Sequence, residues 1–350
     1  MPANRALRPL LIALLLARPA LQLAQAADTW DTAAFVTPAP ELLQAASQVA
    51  RARPTSVVVL LDERNFVLDE QNRLTRTTRM IYRVDSPDGV EHWAASSAQW
   101  QPWHQARPVI RARVVTVDGR EHALDQDLLT DAGSRDSANQ VYGDDHVLEG
   151  PLPAIAVGAV VEEEITVRDQ QPFFAAGSVF REFVGRPVPV LHTRIVIDTP
   201  ESLPLRRITS LLPHALVKEV HANGRVRWTL DQGAIDEMPV MDSNLPADAP
   251  AWPSVEFSSG VSWEAVATSY REMTEARIRN DDARALIAGL NKPDGRKLDY
   301  IARVVERLHR EVRYTGVEFG TARLVPAYPS ETLRRHFGDC KDKSTLLVAA

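Results

Sequence analysis

The sequence holds a single cysteine, Cys340, in 350 residues. One thiol cannot form an internal disulfide, so Cys340 is either a small apolar residue of a core or a group kept for its reactivity. Aromatic residues are scarce at 6%, whereas prolines number 24, which points to many turns and extended connections. After the first apolar run no stretch approaches the ~20 apolar residues of a membrane span, so no spanning segment is expected. Basic residues (40) are outnumbered by acidic ones (46) and form no cluster, which makes nucleic acid a poor partner. There is no phosphate-binding glycine loop, no H-E-x-x-H and no G-x-S-x-G, so nucleotide, zinc-peptidase and α/β-hydrolase chemistries have no carrier. Gly143-Asp144-Asp145-His146 contains metal-ligand types, but a polar turn between strands explains it better. No metal and no cofactor is expected.

What is present reads as a folded chain of one large or two ordinary domains, with 45% hydrophobic and 25% charged residues. Arg5 and Arg8 precede the apolar run Leu10 to Ala17, and Ala24-Gln25-Ala26 follows. This is the layout of a secretory signal peptide over residues 1–26, with cleavage before Ala27. Its removal takes three arginines and leaves a more acidic, periplasmic or secreted protein. A lone thiol in such an oxidising compartment is the more informative for being unpaired.

The hydrophobic period divides the rest. Residues 27–55 form a lead-in. From 56 to 245 the signals are those of strands: Ser56 to Leu61 is apolar and β-branched, and Leu74 to Val84 returns beside it after the polar turn at Asp69 to Arg73. Ile110, Ala112 and Val114 alternate with arginines before Asp118-Gly119, and Asn223-Gly224 separates two further strands; both dipeptides are hairpin turns. Glu162-Glu163-Glu164 reads as a solvated strand edge. Trp93, Trp100 and Trp103 suit either core packing or a carbohydrate or peptide groove. An antiparallel, all-β sandwich-like domain is expected here. Residues 246–254, with three prolines, read as an extended linker.

Beyond the linker, residues 255–350 read as mainly helical, giving an α+β chain overall. Trp263, Val266, Ala267, Tyr270 and Met273 share one helical face, with Ser262 as N-cap. Ile301, Val304, Val305, Leu308 and Val312 form a second stripe after the turn at Pro293-Asp294-Gly295. A third helix runs from Lys341 to Ala350, with Leu346, Leu347 and Ala350 facing inward. Asp339 is a good N-cap, which makes Cys340 the first helical residue. There the helix dipole and unused N–H groups favour the ionised sulfur, with Lys341 and Lys343 adding positive charge and Asp342 opposing part of it. Gly338 permits a tight turn that leaves the sulfur open, and the Cys340 N–H is placed as an oxyanion donor.

The stretch Gly338-Asp339-Cys340-Lys341-Asp342-Lys343-Ser344, with Tyr314-x-Gly316 upstream, resembles the cysteine motif of bacterial transglutaminase-like domains. Together with the β region, it is most similar to proteins that join a DUF3857 domain to a transglutaminase-like domain. The resemblance implies a papain-like fold and a Cys-His-Asp triad whose nucleophile is Cys340. Gly338, Asp339, Lys341 and Asp342 would support the cysteine loop and cap, and Tyr314 would lie at the substrate cleft. It also implies that the histidine and aspartate follow the cysteine in chain order. His336 is therefore not the base, and a chain ending at Ala350 is expected to be cut after the nucleophile helix, inactive, and exposed along Leu346 and Leu347. The partner expected is a peptide or protein substrate such as the cell envelope offers. A non-catalytic envelope binding or scaffold protein on the same domains is the competing reading, and an assembly role without a small ligand is a third.

Overall fold

The computed structural model describes residues 32–50, 54–133, 141–221, 223–239, 244, 246, 249–279, 281–290 and 297–350. The expected signal peptide, the turn at Pro293 to Gly295 and part of the proline-rich stretch lie outside them. The fold is mixed α/β, mostly sheet with several helices, and its N-terminal region is rich in strands.

Fifteen strands precede the long helices: β1 (Val57–Leu68), β2 (Leu74–Val84), β3 (Ala95–Trp100), β4 (Val109–Val115), β5 (Glu121–Ala123), β6 (Thr130–Gly133), β7 (Val141–Gly143), β8 (His146–Pro151), β9 (Val160–Arg168), β10 (Val179–Phe183), β11 (Thr193–Pro200), β12 (Arg206–Ser210), β13 (Val217–His221), β14 (Arg225–Gln232) and β15 (Ser254–Ser258). Eight of them form the main sheet, in the order β13-β14-β11-β1-β2-β9-β4-β5; β3-β8-β6 and β10-β15-β12 form two smaller sheets. The anticipated hairpins are present, with Gly119 and Gly224 at positive φ in their turns. One feature departs from an all-antiparallel sheet: β1 and β11 run parallel, Asp62 opposite Thr193.

The continuous apolar run in β1 follows from burial on both faces. Val57 and Val59 point to one side, with Tyr82, Val114 and Val161, and meet Ala98 and Leu148 of the β3-β8-β6 sheet. Val58 and Leu60 point to the other, with Ile81 and Val160, and are covered by Leu42, Ala45 and Ala46 of helix α1 (Ala39–Gln48). Farther along, Phe66, Ile195, Ile197 and Trp228 pack against Val255 and Phe257 of β15.

The Glu162-Glu163-Glu164 run is not a solvated edge. Strand β9 lies between β2 and β4, and Glu162 has no exposed surface. Arg79 and Arg113 offset its charge at 2.8 and 2.6 Å and also donate to the carbonyls of Thr32 and Thr37 in the lead-in. Glu162 in turn accepts from the Phe35 N–H at 2.9 Å. A second buried network joins Asp62, Arg64, Arg186 and Glu182. Burial pushes the Asp62 carboxyl up, but the Arg64 and Arg186 guanidiniums outweigh it and hold the carboxyl well below its usual range.

Past the prolines the structure differs from the expected boundary at residue 255. Strand β15 (Ser254–Ser258) is the centre of the β10-β15-β12 sheet, so the strand-forming region extends through it. The prolines lead back into the region and not away from it.

The helical region follows. It comprises α3 (Trp263–Arg279), the short α4 (Arg284–Ile287), α5 (Lys297–Glu311), α6 (Pro329–Arg335) and α7 (Cys340–Ala349); α2 is the single turn Pro87–His92 in the β region. Leu286, Val304, Leu308, Val312 and Leu346 form its core. Leu346 is fully buried, which overturns the expected exposure of that helix face; Val304 and Leu308 of α5 cover it. Helix α3, by contrast, buries none of its residues. Three short strands, β16 (Arg313–Tyr314), β17 (Gly316–Glu318) and β18 (Phe337–Gly338), complete the chain. Strand β17 pairs in parallel with β7, tying the two regions together. The Gly143-Asp144-Asp145-His146 turn serves this junction: Asp144 accepts from the Gly320 N–H at 2.8 Å, and Asp145 pairs with Arg323 at 2.5 Å. Among the described residues no helix is long and apolar enough to cross a membrane.

Candidate active site

Cys340 is the first residue of α7, and its sulfur lies at an exposed position. The helix starts there because Asp339 caps it. The Asp339 carboxylate accepts from the Asp342 N–H at 3.1 Å, and the Asp342 side chain accepts from the Asp339 N–H at 3.4 Å, a reciprocal capping box. The cap takes the Asp342 N–H, which leaves the Cys340 and Lys341 N–H groups, with no carbonyl of their own helix to serve, beside the sulfur.

Asp342 does more than cap. It is buried, accepts from the Ala327 N–H at 2.8 Å and pairs with Arg335. The carboxylate thus fixes the helix start to the segment before α6. Gly338 is required by the same contact: a Cβ there would sit 2.8 Å from the Asp342 Cβ and 3.2 Å from the Thr332 methyl. Lys341 is paired with Asp339. Lys343 does not reach the sulfur but donates to the Val312 carbonyl at 2.8 Å, where a cation favours the end of α5.

Tyr314 is brought to the site by β16, which pairs in parallel with β18 so that Tyr314 faces Gly338. Tyr314 is 61% exposed, and Cys340 is the strongest electrostatic influence on its hydroxyl. The charge of Cys340 first, then desolvation, pushes the phenol above its usual value. Tyr314 therefore stays protonated. His336 ends α6 in a left-handed conformation, and its Nδ1 lies 3.1 Å from the Glu311 carbonyl. That interaction turns one ring nitrogen to the backbone. The arrangement gathers Cys340, Asp339, Asp342, Lys341, Gly338 and Tyr314 at one place.

A wide cleft of about 1050 Å³ lies elsewhere, between the sheets and α3; Trp100, Phe173, Phe180, Trp263 and Tyr270 line it, and neither Cys340 nor Tyr314 does. Its floor is a polar circuit that the linear sequence does not announce. His104 Nε2 lies 2.9 Å from the Gln101 amide oxygen; Gln105 accepts from the Gln101 N–H at 2.9 Å and donates to Asp169 at 3.2 Å. Asp169 approaches His104 Nδ1 to 3.5 Å without hydrogen-bonding it. Burial pushes the imidazole down and the carboxyl up, so both favour their neutral forms. Of the three tryptophans weighed from the sequence, Trp100 alone lines the cleft; Trp93 packs against Tyr82 with the rings tilted by 56° and their centroids 4.8 Å apart.

The profile of a family described as a domain of unknown function with solved structure, DUF3857, matches residues 70–236. A DUF3857 domain is found here. It takes in β2 through β14 and leaves Cys340 outside. None of the curated proteins matches the chain. Among solved structures, a "putative protease" from Parabacteroides distasonis superimposes with a TM-score of 0.66 at 15% identity, over 85% of this chain and 58% of that one. The likeness is one of fold, and the chain spans well under two thirds of that protein's length. An M1 zinc metallopeptidase from Deinococcus radiodurans overlaps over 58% of this chain and 42% of its own, at 8% identity and a TM-score of 0.32. That overlap is too loose to carry an argument.

Proposed function

We propose that the protein is an exported, transglutaminase-like cysteine enzyme that acts on amide bonds of peptides or proteins, with α3 to α7 as the first part of a papain-like core. The observation that carries this reading is the placement of the one thiol: exposed, first in an Asp-capped helix, with Tyr314 brought next to the helix start by strand pairing. Fold likeness to a protein described as a protease supports it.

The chemistry follows from the geometry. The Cys340 sulfur attacks the amide carbonyl, and the C=O electron pair moves onto oxygen, where first-turn N–H groups of α7 donate to the oxyanion. Collapse breaks the C–N bond; the amine leaves with a proton, and the acyl group remains as a thioester on Cys340. Water then gives a carboxylate and the free thiol, or a second amine gives a new amide. Tyr314, on the strand beside the helix start, is placed to line the substrate cleft. The base and its orienting acid are, by the resemblance, a histidine and an aspartate that follow the cysteine in chain order.

The test is trapping of the intermediate in the protein with its whole encoded sequence. Incubation with a glutamine- and lysine-bearing protein substrate, then hydroxylamine, is expected to release a hydroxamate and regenerate the thiol. Cys340→Ser should abolish it while leaving the circular dichroism spectrum unchanged. Equal product from Cys340→Ser, or alkylation of Cys340 by iodoacetamide no faster than that of a simple peptide thiol, sinks the reading. It would then favour a non-catalytic binding or scaffold protein.

A further inference from the structure

We propose that the cleft between the sheets and α3 is a binding site for neutral saccharides, separate from the thiol. Its walls and floor differ in kind. Trp263, Val266 and Tyr270 present the apolar face of α3 to the cleft opposite Val179 and Phe180, and Trp263 is 81% exposed. A planar aromatic face of that size left in water is a platform that an apolar ligand face would cover.

The floor offers side chains and almost no free backbone. The N–H of Gln101 is taken by Gln105, those of His104 and Gln105 by the Gln101 carbonyl, and those of Gln170 and Gln171 by the His104 carbonyl. The Gly177 N–H goes to the Phe174 carbonyl and the Ser178 N–H to the Ser259 hydroxyl. A peptide adding as a strand would find no ladder of donors on this floor. Recognition falls to side-chain amides. The Gln101 amide oxygen is held by His104, which leaves its amide N–H groups to donate.

Charge narrows the class. Asp145 and Asp169 line the cleft and, among the described residues, no lysine or arginine does, so an anionic ligand finds no cation of that kind there. A sugar ring matches what remains. It has an apolar C–H face for the aromatic wall, hydroxyl edges that both donate and accept for the floor, and no charge. A volume of about 1050 Å³ lies at the top of the usual ligand-pocket range of roughly 300–1000 Å³ and holds more than one ring.

The experiment is calorimetric titration of the full-length protein with cellotetraose, maltotetraose and chitotetraose, with a heparin tetrasaccharide and an unglycosylated peptide as controls. At least one neutral tetrasaccharide is expected to bind. Trp263→Ala should weaken that binding about tenfold, as expected for loss of one stacking platform, and should spare the fold because the side chain is exposed. Cys340→Ser should leave the binding unchanged, so failure here is distinct from failure of the amide-bond reading. The proposal is overturned if no neutral tetrasaccharide binds at millimolar concentration, or if a control binds more tightly. It also falls if Trp263→Ala has no effect, or if hydrogen exchange shows residues 263–270 already covered in the sugar-free protein.

Discussion

In the β region charged side chains are buried and paired, whereas in the helical region large apolar side chains stand in water. Glu162, Arg79, Arg113, Asp62 and Arg64 are all buried in or beside the main sheet, while Trp263, Leu298 and Ile301 are exposed on α3 and α5. The difference shows that polarity alone does not place a side chain. A carboxylate goes inside when arginines on neighbouring strands and the carbonyls of a strap converge on it. An aromatic stays outside when its helix forms one wall of an open cleft. The first arrangement adds specificity more than stability, since a buried ion pair barely outweighs the desolvation of its members.

The comparison is broken most severely at Glu162. Glu162→Ala leaves Arg79 and Arg113 buried without a countercharge, and urea unfolding should show a loss of about 3–5 kcal/mol. A loss below 1 kcal/mol would mean that the arginines relax to solvent and the network is not a structural requirement. Leu346→Ala, in the core of the helical region, should cost about 2–5 kcal/mol and lower cooperativity there, read by hydrogen exchange in α5 and α7. If protection in α5 is unchanged, α7 is not part of that core. Gly338→Ala should cost about 1–3 kcal/mol, because its Cβ meets Asp342 and Thr332, and should also slow alkylation of Cys340. Normal alkylation alongside lost stability would separate the cap from the thiol.

A smaller effect is expected from Glu163. Burial pushes its carboxyl up, with the Ser96 hydroxyl donating at 2.7 Å in partial opposition. A raised acid binds its proton more tightly in the folded state. The stability it contributes is therefore fully present below its unfolded value and is lost as pH rises through the folded one. Glu163→Gln should flatten that decline in melting temperature; an unchanged pH profile would show that the carboxyl ionises freely where it lies. The smallest effect belongs to Trp263→Ser, within about 0.5 kcal/mol of the parent, because the side chain packs against so little.

Local chemistry was legible in the sequence and long-range geometry was not. Asp118-Gly119 and Asn223-Gly224 announce their hairpins because turn backbone is set by two residues. Asp339 announces the start of α7 for the same reason. The burial of Glu162 depends on Arg79 and Arg113, far away in sequence and adjacent only once β2, β9 and β4 pair. The parallel pairing of β1 with β11, and the return of β15 to the β region, are equally non-local. Helix α3 shows the limit from the other side. Its apolar stripe at Trp263, Val266 and Tyr270 is real, but periodicity cannot tell a face that packs from one that borders a cleft. At the candidate site, the motif around Cys340 indicated the cap, and Tyr314 was brought to the sulfur by the two-residue pairing of β16 with β18.

The pairing of β7 with β17 has a mechanical consequence. The chain passes from one region to the other between β15 and α3, and that crossing alone would act as a ball joint, free to swing in every direction. The strand pair, with Arg323 locked to Asp145, is a second pin at a separate point. Two pins define a hinge line. Two such pins oppose sliding of one region across the other, so a change in the width of the cleft beside α3 would have to come from rotation about that line.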